Sequence, residues 1–213
     1  MGLLQFFYSN RAEIWSLTLE HLWLVGLSML LAVAIGVPLG IVITRRPIFN
    51  KPILGTANVI QTIPSLALFG FLLPMPWLGE RAARLAVAAL TGYALLPIIR
   101  NTYTGIRNVD PGAREAARGM GMTDWQLLWH VELPLAMGVI LAGVRVATVI
   151  TVGIATIAAA IGAGGLGEFI FRGLAMVDNR VILAGAIPAA VMALAADFLL
   201  GWAERHLAPS ARS

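Results

Sequence analysis

The 213-residue chain has no cysteine, which excludes disulfides and any metal site built on thiolates. Histidine is nearly as scarce: His21, His130 and His206 stand far apart near the ends of apolar segments and offer neither a zinc ligand set nor a catalytic group. Charge is the third shortage. Only 12% of the residues are Asp, Glu, Lys or Arg, against about 25% in a soluble domain. With 59% apolar residues and a mean hydropathy of +0.83, most of this chain has lipid as its solvent. The net charge of +4 comes largely from arginines set between apolar runs, with Lys51 the single lysine. Membrane topology accounts for them, and nucleic acid is excluded as a partner. No Gly-Lys-Ser/Thr phosphate loop follows any strand pattern, so the chain is no nucleotidase. It reads as a transport subunit and not an enzyme, with no metal or cofactor of its own. One membrane domain, 1–213, is all the length allows.

What is present is a series of apolar runs. Residues 1–20 mix Phe6, Phe7, Ile14 and Trp15 with Arg11, Glu13 and Glu20 and lack the layout of a cleaved leader, so an interfacial helix is expected there. Membrane spans are expected at 22–43, 53–78, 82–100, 134–161 and 181–203 to cross a hydrocarbon core of about 30 Å; the third has only 15 uncharged residues, 85–99, and needs Arg84 and Arg100 to reach outward to the interfaces. Nine basic residues (Arg45, Arg46, Lys51, Arg100, Arg107, Arg114, Arg118, Arg205, Arg212) fall on one side of this plan. Five (Arg11, Arg81, Arg84, Arg172, Arg180) fall on the other, which orients the N-terminus outward and the 204–213 tail inward. The predicted fold is therefore an all-α integral membrane protein of five transmembrane helices.

Three places in this plan carry polar or flexible residues. Gln61, Thr62, Pro64 and Ser65 interrupt the second span. Proline frees a backbone carbonyl that must be satisfied by protein or water, so this span either lines a polar pathway or packs as a silent kink. The outer segment 162–180 holds Gly162, Gly164, Gly165 and Gly167, either a gating loop or a plain linker. Arg145 and Asp197 lie inside spans at similar depth. A charge there costs about 3 kcal/mol unless paired or wet, so we expect an ion pair facing the bundle interior; separate snorkelling and direct substrate contact are the alternatives.

The longest polar connection, 105–133, is expected to be a compact knuckle on the cytoplasmic face. Asp110 followed by Pro111 starts a short helix through Arg118, ended by Gly119 and Gly121. Thr123 and Gln126 form a capping box that opens a second short helix through about His130.

Within the knuckle Glu115, Ala116 and Ala117 are followed at fixed spacing by Gly121, Val131, Leu133 and Pro134. This pattern resembles the EAA loop of ABC-importer permeases, with Val131 where that family has isoleucine. Further runs at 61–74, 131–149, 161–174 and 182–197 are similar to the branch importing glycine betaine, carnitine, choline and proline betaine. The resemblance implies a type I ABC-importer permease-like fold with cytoplasmic coupling helices, in the bacterial plasma (inner) membrane. It implies that Glu115, Ala116, Ala117, Gly119, Gly121, Val131, Leu133 and Pro134 contact a separate ATPase. The expected partners are a second permease subunit, identical or paralogous, two ABC ATPases that bind ATP and magnesium, an extracytoplasmic substrate-binding protein, and membrane lipid. A permease for amino acids such as methionine, an ion-coupled carrier and a membrane scaffold are the alternatives. Asp197 is the only acid deep in a span, which speaks against ion coupling, and the polar patch at 61–65 speaks against a scaffold.

Overall fold

A computed structural model of the chain describes residues 2–207. Those residues are almost wholly helical: α1 (Leu3–Ser9), α2 (Arg11–Arg45), α3 (Asn50–Thr62), α4 (Ser65–Leu72) and α5 (Ala82–Arg107) come first. There follow α6 (Pro111–Gly119), α7 (Asp124–Leu127), α8 (Leu133–Ile157), α9 (Gly167–Met176) and α10 (Asn179–Leu207). A π turn, Leu128–Glu132, joins α7 to α8, and a 3-10 turn, Ala158–Ile161, extends α8 at its far end.

Among the described residues, four helical segments are long and apolar enough to cross a membrane: Arg11–Arg45, Ala82–Arg107, Asp124–Ile161 and Asn179–Leu207. A fifth is present if α3 and α4 are counted as one broken span. That broken element corrects the expectation of a single helix over 53–78, because the two pieces meet at 103°. The residue before a proline is pushed out of the helical region, and Ile63 is extended (φ −70, ψ 129) before Pro64. Its carbonyl, which α3 leaves unsatisfied, accepts a hydrogen bond from the Tyr93 hydroxyl of α5. Pro38, Pro97 and Pro188 sit inside α2, α5 and α10 without such a break.

The N-terminal boundary is also corrected. No helix end separates 1–20 from 22–43: α2 begins at Arg11 and runs 35 residues, about 52 Å. The stretch from Arg11 to Val25 contains no glycine or proline, so nothing in it stops a helix. Asn10 ends α1 instead. The last span is likewise longer than 181–203, and of the 204–213 tail residues 208–213 lie outside the described residues.

α5 is the centre of the bundle, with fourteen buried residues, and α2 and α8 pack against it. Small residues let the backbones approach, as in lipid where dispersion replaces the hydrophobic drive. Gly36 and Gly40 of α2 face Ile98 and Thr102 of α5, and Gly143 of α8 faces Asn101; a methyl at Gly40 or Gly143 would sit 2.5 Å from a side-chain carbon. Three buried hydroxyls are satisfied locally, Ser28 donating to Leu24 O, Thr91 to Val87 O and Thr151 to Ala147 O, each at 2.7 Å, while the buried Thr102 hydroxyl at the α2–α5 contact has no partner among the described residues.

Candidate functional site: the knuckle between α5 and α8

The knuckle is built by caps. The Asp110 carboxylate accepts the Ala113 N–H at 3.0 Å, and Pro111 occupies the first helical position, where its missing N–H costs nothing. α6 buries only Ala117, so Glu115 and Ala116 face outward. It ends with Gly121 at φ +83, and Met122 N–H closes back onto Ala117 O at 3.2 Å. Thr123 and Gln126 then make a reciprocal capping box, with Thr123 N–H donating to Gln126 Oε1 at 2.9 Å.

Beyond the box the structure corrects one expectation. No second helix stops near His130; α7 runs through the π turn straight into α8. Pro134 has no N–H for the carbonyl of His130 four residues back, and the helix widens by one residue just before it. Val131, Leu133 and Pro134 therefore belong to the root of a membrane helix, while Glu115, Ala116 and Gly119 lie on the separate helix α6 and Gly121 in the turn that follows it. Trp125 and Trp129 stack edge to face at 5.4 Å on the exposed side. The Arg118 to Asp124 contact, 3.6 Å between exposed side chains, contributes little.

One residue of this region was not singled out from the sequence. Glu132, between Val131 and Leu133, is 2% exposed at its side chain and lies against two guanidinium groups. Arg45, the last residue of α2, donates to both carboxylate oxygens through its two terminal nitrogens. Arg114 of α6 brings Nε to 3.0 Å from Oε1, a contact of charge whose N–H is not aimed at the oxygen. A second nitrogen of Arg114 donates to Ile106 O in the last turn of α5. The available signal was an acid at the mouth of a span on the same side as a basic cluster, a placement that demands a partner.

The outer glycines lie at the opposite end of α8, about 38 Å from the knuckle. Gly162, Gly164 and Gly165 all have positive φ. The segment is fastened rather than loose: Gly165 N–H donates to Glu20 of α2 at 3.2 Å, and the next residue, the buried His21, joins α2 to α8 with Nε2 3.2 Å from Val152 O. Gly167 opens α9 against the α8 terminus. Asp178, just before α10, accepts from the Arg180 guanidinium and backbone N–H, which hold its carboxyl down to about 2. Gln61 and Thr62 end α3, and Pro64 and Ser65 stand at the bend and the start of α4, whose Leu68 and Phe69 share a core cluster with Ala158 at the far end of α8.

Arg145 and Asp197 are ion-paired, with Nε 2.6 Å from Oδ1 and a second bond of 2.9 Å between Nη2 and Oδ2. Their place corrects the expectation of a bundle interior. The two side chains are 37% and 42% exposed, in an open groove of about 470 Å³ between α8 and α10. Gly201 makes the room: a Cβ there would lie 3.1 Å from Arg145 Nη1. Glu204 adds a second acid 3.5 Å from the same guanidinium. Losing Arg145 leaves Asp197 an unpaired charge at bilayer depth, a cost of about 3 kcal/mol. Arg145→Asp is expected to depress the yield of monodisperse protein, and Asp197→Arg added to it to recover most of that loss; no recovery would sink the coupling of the two.

Comparison with known proteins supplies the rest. Residues 36–213 match the family described as binding-protein-dependent transport system inner membrane component. The chain is 46% identical over 202 residues to the osmoprotectant import permease protein OsmW of Salmonella typhimurium, covering 94% of each. It is 44% identical to the carnitine transport permease protein OpuCB of Listeria monocytogenes, covering 99% of this chain and 95% of that one. It is 42% identical to the choline transport system permease protein OpuBB of Bacillus subtilis, covering 98% and 94%. Its fold is that of a chain in the inward-facing MetNI methionine ABC transporter, with TM-score 0.82 over 96% of this chain and 99% of that one, at 22% identity.

Proposed function

The chain belongs to the binding-protein-dependent transport system inner membrane components, and on that premise we propose that it is the permease of an ABC importer of quaternary-amine osmoprotectants. The cargo class is glycine betaine, choline, carnitine and proline betaine, moved into the cell by alternating access. One observation carries the cargo: identity of 42–46% along nearly the whole chain to permeases named for osmoprotectants, carnitine and choline. The methionine transporter shares the fold at 22% identity, which says nothing of cargo.

In this reading the protein is the membrane subunit and a separate ATPase hydrolyses ATP. Two ATPases grip the paired knuckles of two permease subunits, identical or paralogous. Glu115, Ala116, Gly119 and Gly121 form the gripped surface; Ala117, expected with them, is buried beneath it and cannot touch a partner; Val131, Leu133 and Pro134 pass the surface's motion into α8. The bend at Gln61, Thr62, Pro64 and Ser65 faces the pathway, where its exposed polar groups find water. The segment at Gly162, Gly164, Gly165 and Gly167 shapes the outer mouth that receives cargo from the binding protein.

The test is uptake in liposomes holding this chain with its ATPase and binding protein, offered glycine betaine, choline, carnitine and methionine. Uptake of the quaternary amines that needs ATP and the binding protein supports the reading. ATP-dependent uptake of methionine alone would move the chain to the amino-acid branch, and uptake indifferent to ATP would overturn it.

A further inference from the structure

We propose that Glu132 is the positioning residue that makes the coupling knuckle and the membrane helices move as one body. This rests on the importer reading above for its functional consequence, though not for its structural one. α6 stands off the bundle with only Ala117 buried, so few apolar contacts bind it to the spans. What binds it is charge. Arg114, the residue before Glu115, reaches from α6 to Glu132 at the root of α8 and to Ile106 O at the end of α5. Arg45 reaches the same carboxylate from the end of α2. The ends of α2 and α8 and the gripped helix thus share one acid, and Arg114 ties the end of α5 to the same cluster.

Burial makes that acid decisive. A carboxylate with 2% of its side chain exposed is held in a poorly solvated place, and its attraction to two guanidiniums is screened far less than at the surface. A bidentate contact to Arg45 fixes direction as well as distance. Removing the charge leaves two arginines facing each other with no acid between them, so α6 is released at the point where an ATPase would pull. Glu132 also stands at the end of the π turn, and turns of that kind inside helices gather at working sites.

The experiment uses Glu132→Gln, which keeps shape and removes charge, with Glu132→Asp as the conservative variant. Hydrogen exchange on the full chain reads the joint directly. Amides of α6 are expected to exchange at least tenfold faster in Glu132→Gln, while those in the centre of α5 stay as in wild type and Glu132→Asp restores most of the protection. In liposomes with the ATPase and binding protein, cargo moved per ATP is expected to fall at least tenfold with the ATPase still bound. Should Glu132→Gln not fold, Arg45→Gln keeps the Arg114 contact and is expected to shift both readouts in the same direction by a smaller factor. Unchanged α6 exchange, or a loss of uptake matched by an equal loss of ATP hydrolysis, would overturn the proposal. Wild-type liposomes that import no quaternary amine would instead count against the importer reading, and the exchange result would still judge the joint.

Discussion

Gly167→Ala is expected to leave little folded protein. A Cβ at this position would lie 1.9 Å from the Thr156 carbonyl oxygen, 2.7 Å from its carbon and 2.8 Å from Ala159 Cβ. The first two are backbone atoms in the last turn of α8, so no rotamer change relieves the overlap. Moving α9 away is opposed on its other side, where Gly185 of α10 holds its own missing Cβ 2.4 Å from Leu166 O. Overpacking costs about 1–3 kcal/mol where side chains can give, and more is expected where only backbone can. Gly162→Ala is the control. It meets open space and bears only the left-handed strain of φ +75, about 1–2 kcal/mol. Yield of monodisperse protein and the unfolding midpoint decide it: a Gly167→Ala midpoint within a degree or two of wild type would refute the packing argument. The glycines of 162–167 therefore do different jobs: Gly162 only turns, Gly164 and Gly165 turn against side chains of α2, and Gly167 permits close approach of backbone to backbone.

That distinction was not legible in the sequence, and the reason is general to this fold. Features decided within a few residues could be read: Asp110 with Pro111, and Thr123 with Gln126, cap their helices through contacts three residues apart. The long apolar runs could be read because lipid demands them. What depends on a residue far along the chain could not. Pro38, Pro97 and Pro188 stand inside long helices without breaking them, whereas Pro64 breaks its span, and the carbonyl it exposes is met by Tyr93, thirty residues away from Ile63. Glu132 stands at the unspecified position between Val131 and Leu133 of the loop pattern, and of the two arginines that face it one, Arg45, is 87 residues earlier. The pairing of Arg145 with Asp197 was suggested by depth alone, but depth along a helix carries no information about facing, and the groove on the flank follows from Gly201 instead.

Gly121→Asp is expected to abolish uptake while leaving the fold intact, and the two halves of that result rest on separate observations. Gly121 has φ +83, a conformation in which a side chain is strained, but a Cβ there would meet nothing within 4 Å. Aspartate is among the residues that enter this region most readily, so the folding cost is about 1 kcal/mol. The space is empty because the surface is exposed in the free chain, and in the proposed importer it is where an ATPase docks. A carboxylate trapped unpaired in that contact costs about 3 kcal/mol or more, which is a hundredfold or greater loss of productive docking. Asp124, three residues on, adds a like charge. Gly121→Asn separates the effects, since it shares the backbone tolerance and lacks the charge. We expect it to keep uptake within severalfold of wild type. ATPase co-purification, hydrolysis and uptake measured together decide the matter. If complexes carrying Gly121→Asp hold their ATPase and import at the wild-type rate, the knuckle is not the coupling surface. If the asparagine variant fails as badly as the aspartate, backbone strain and not docking explains the loss.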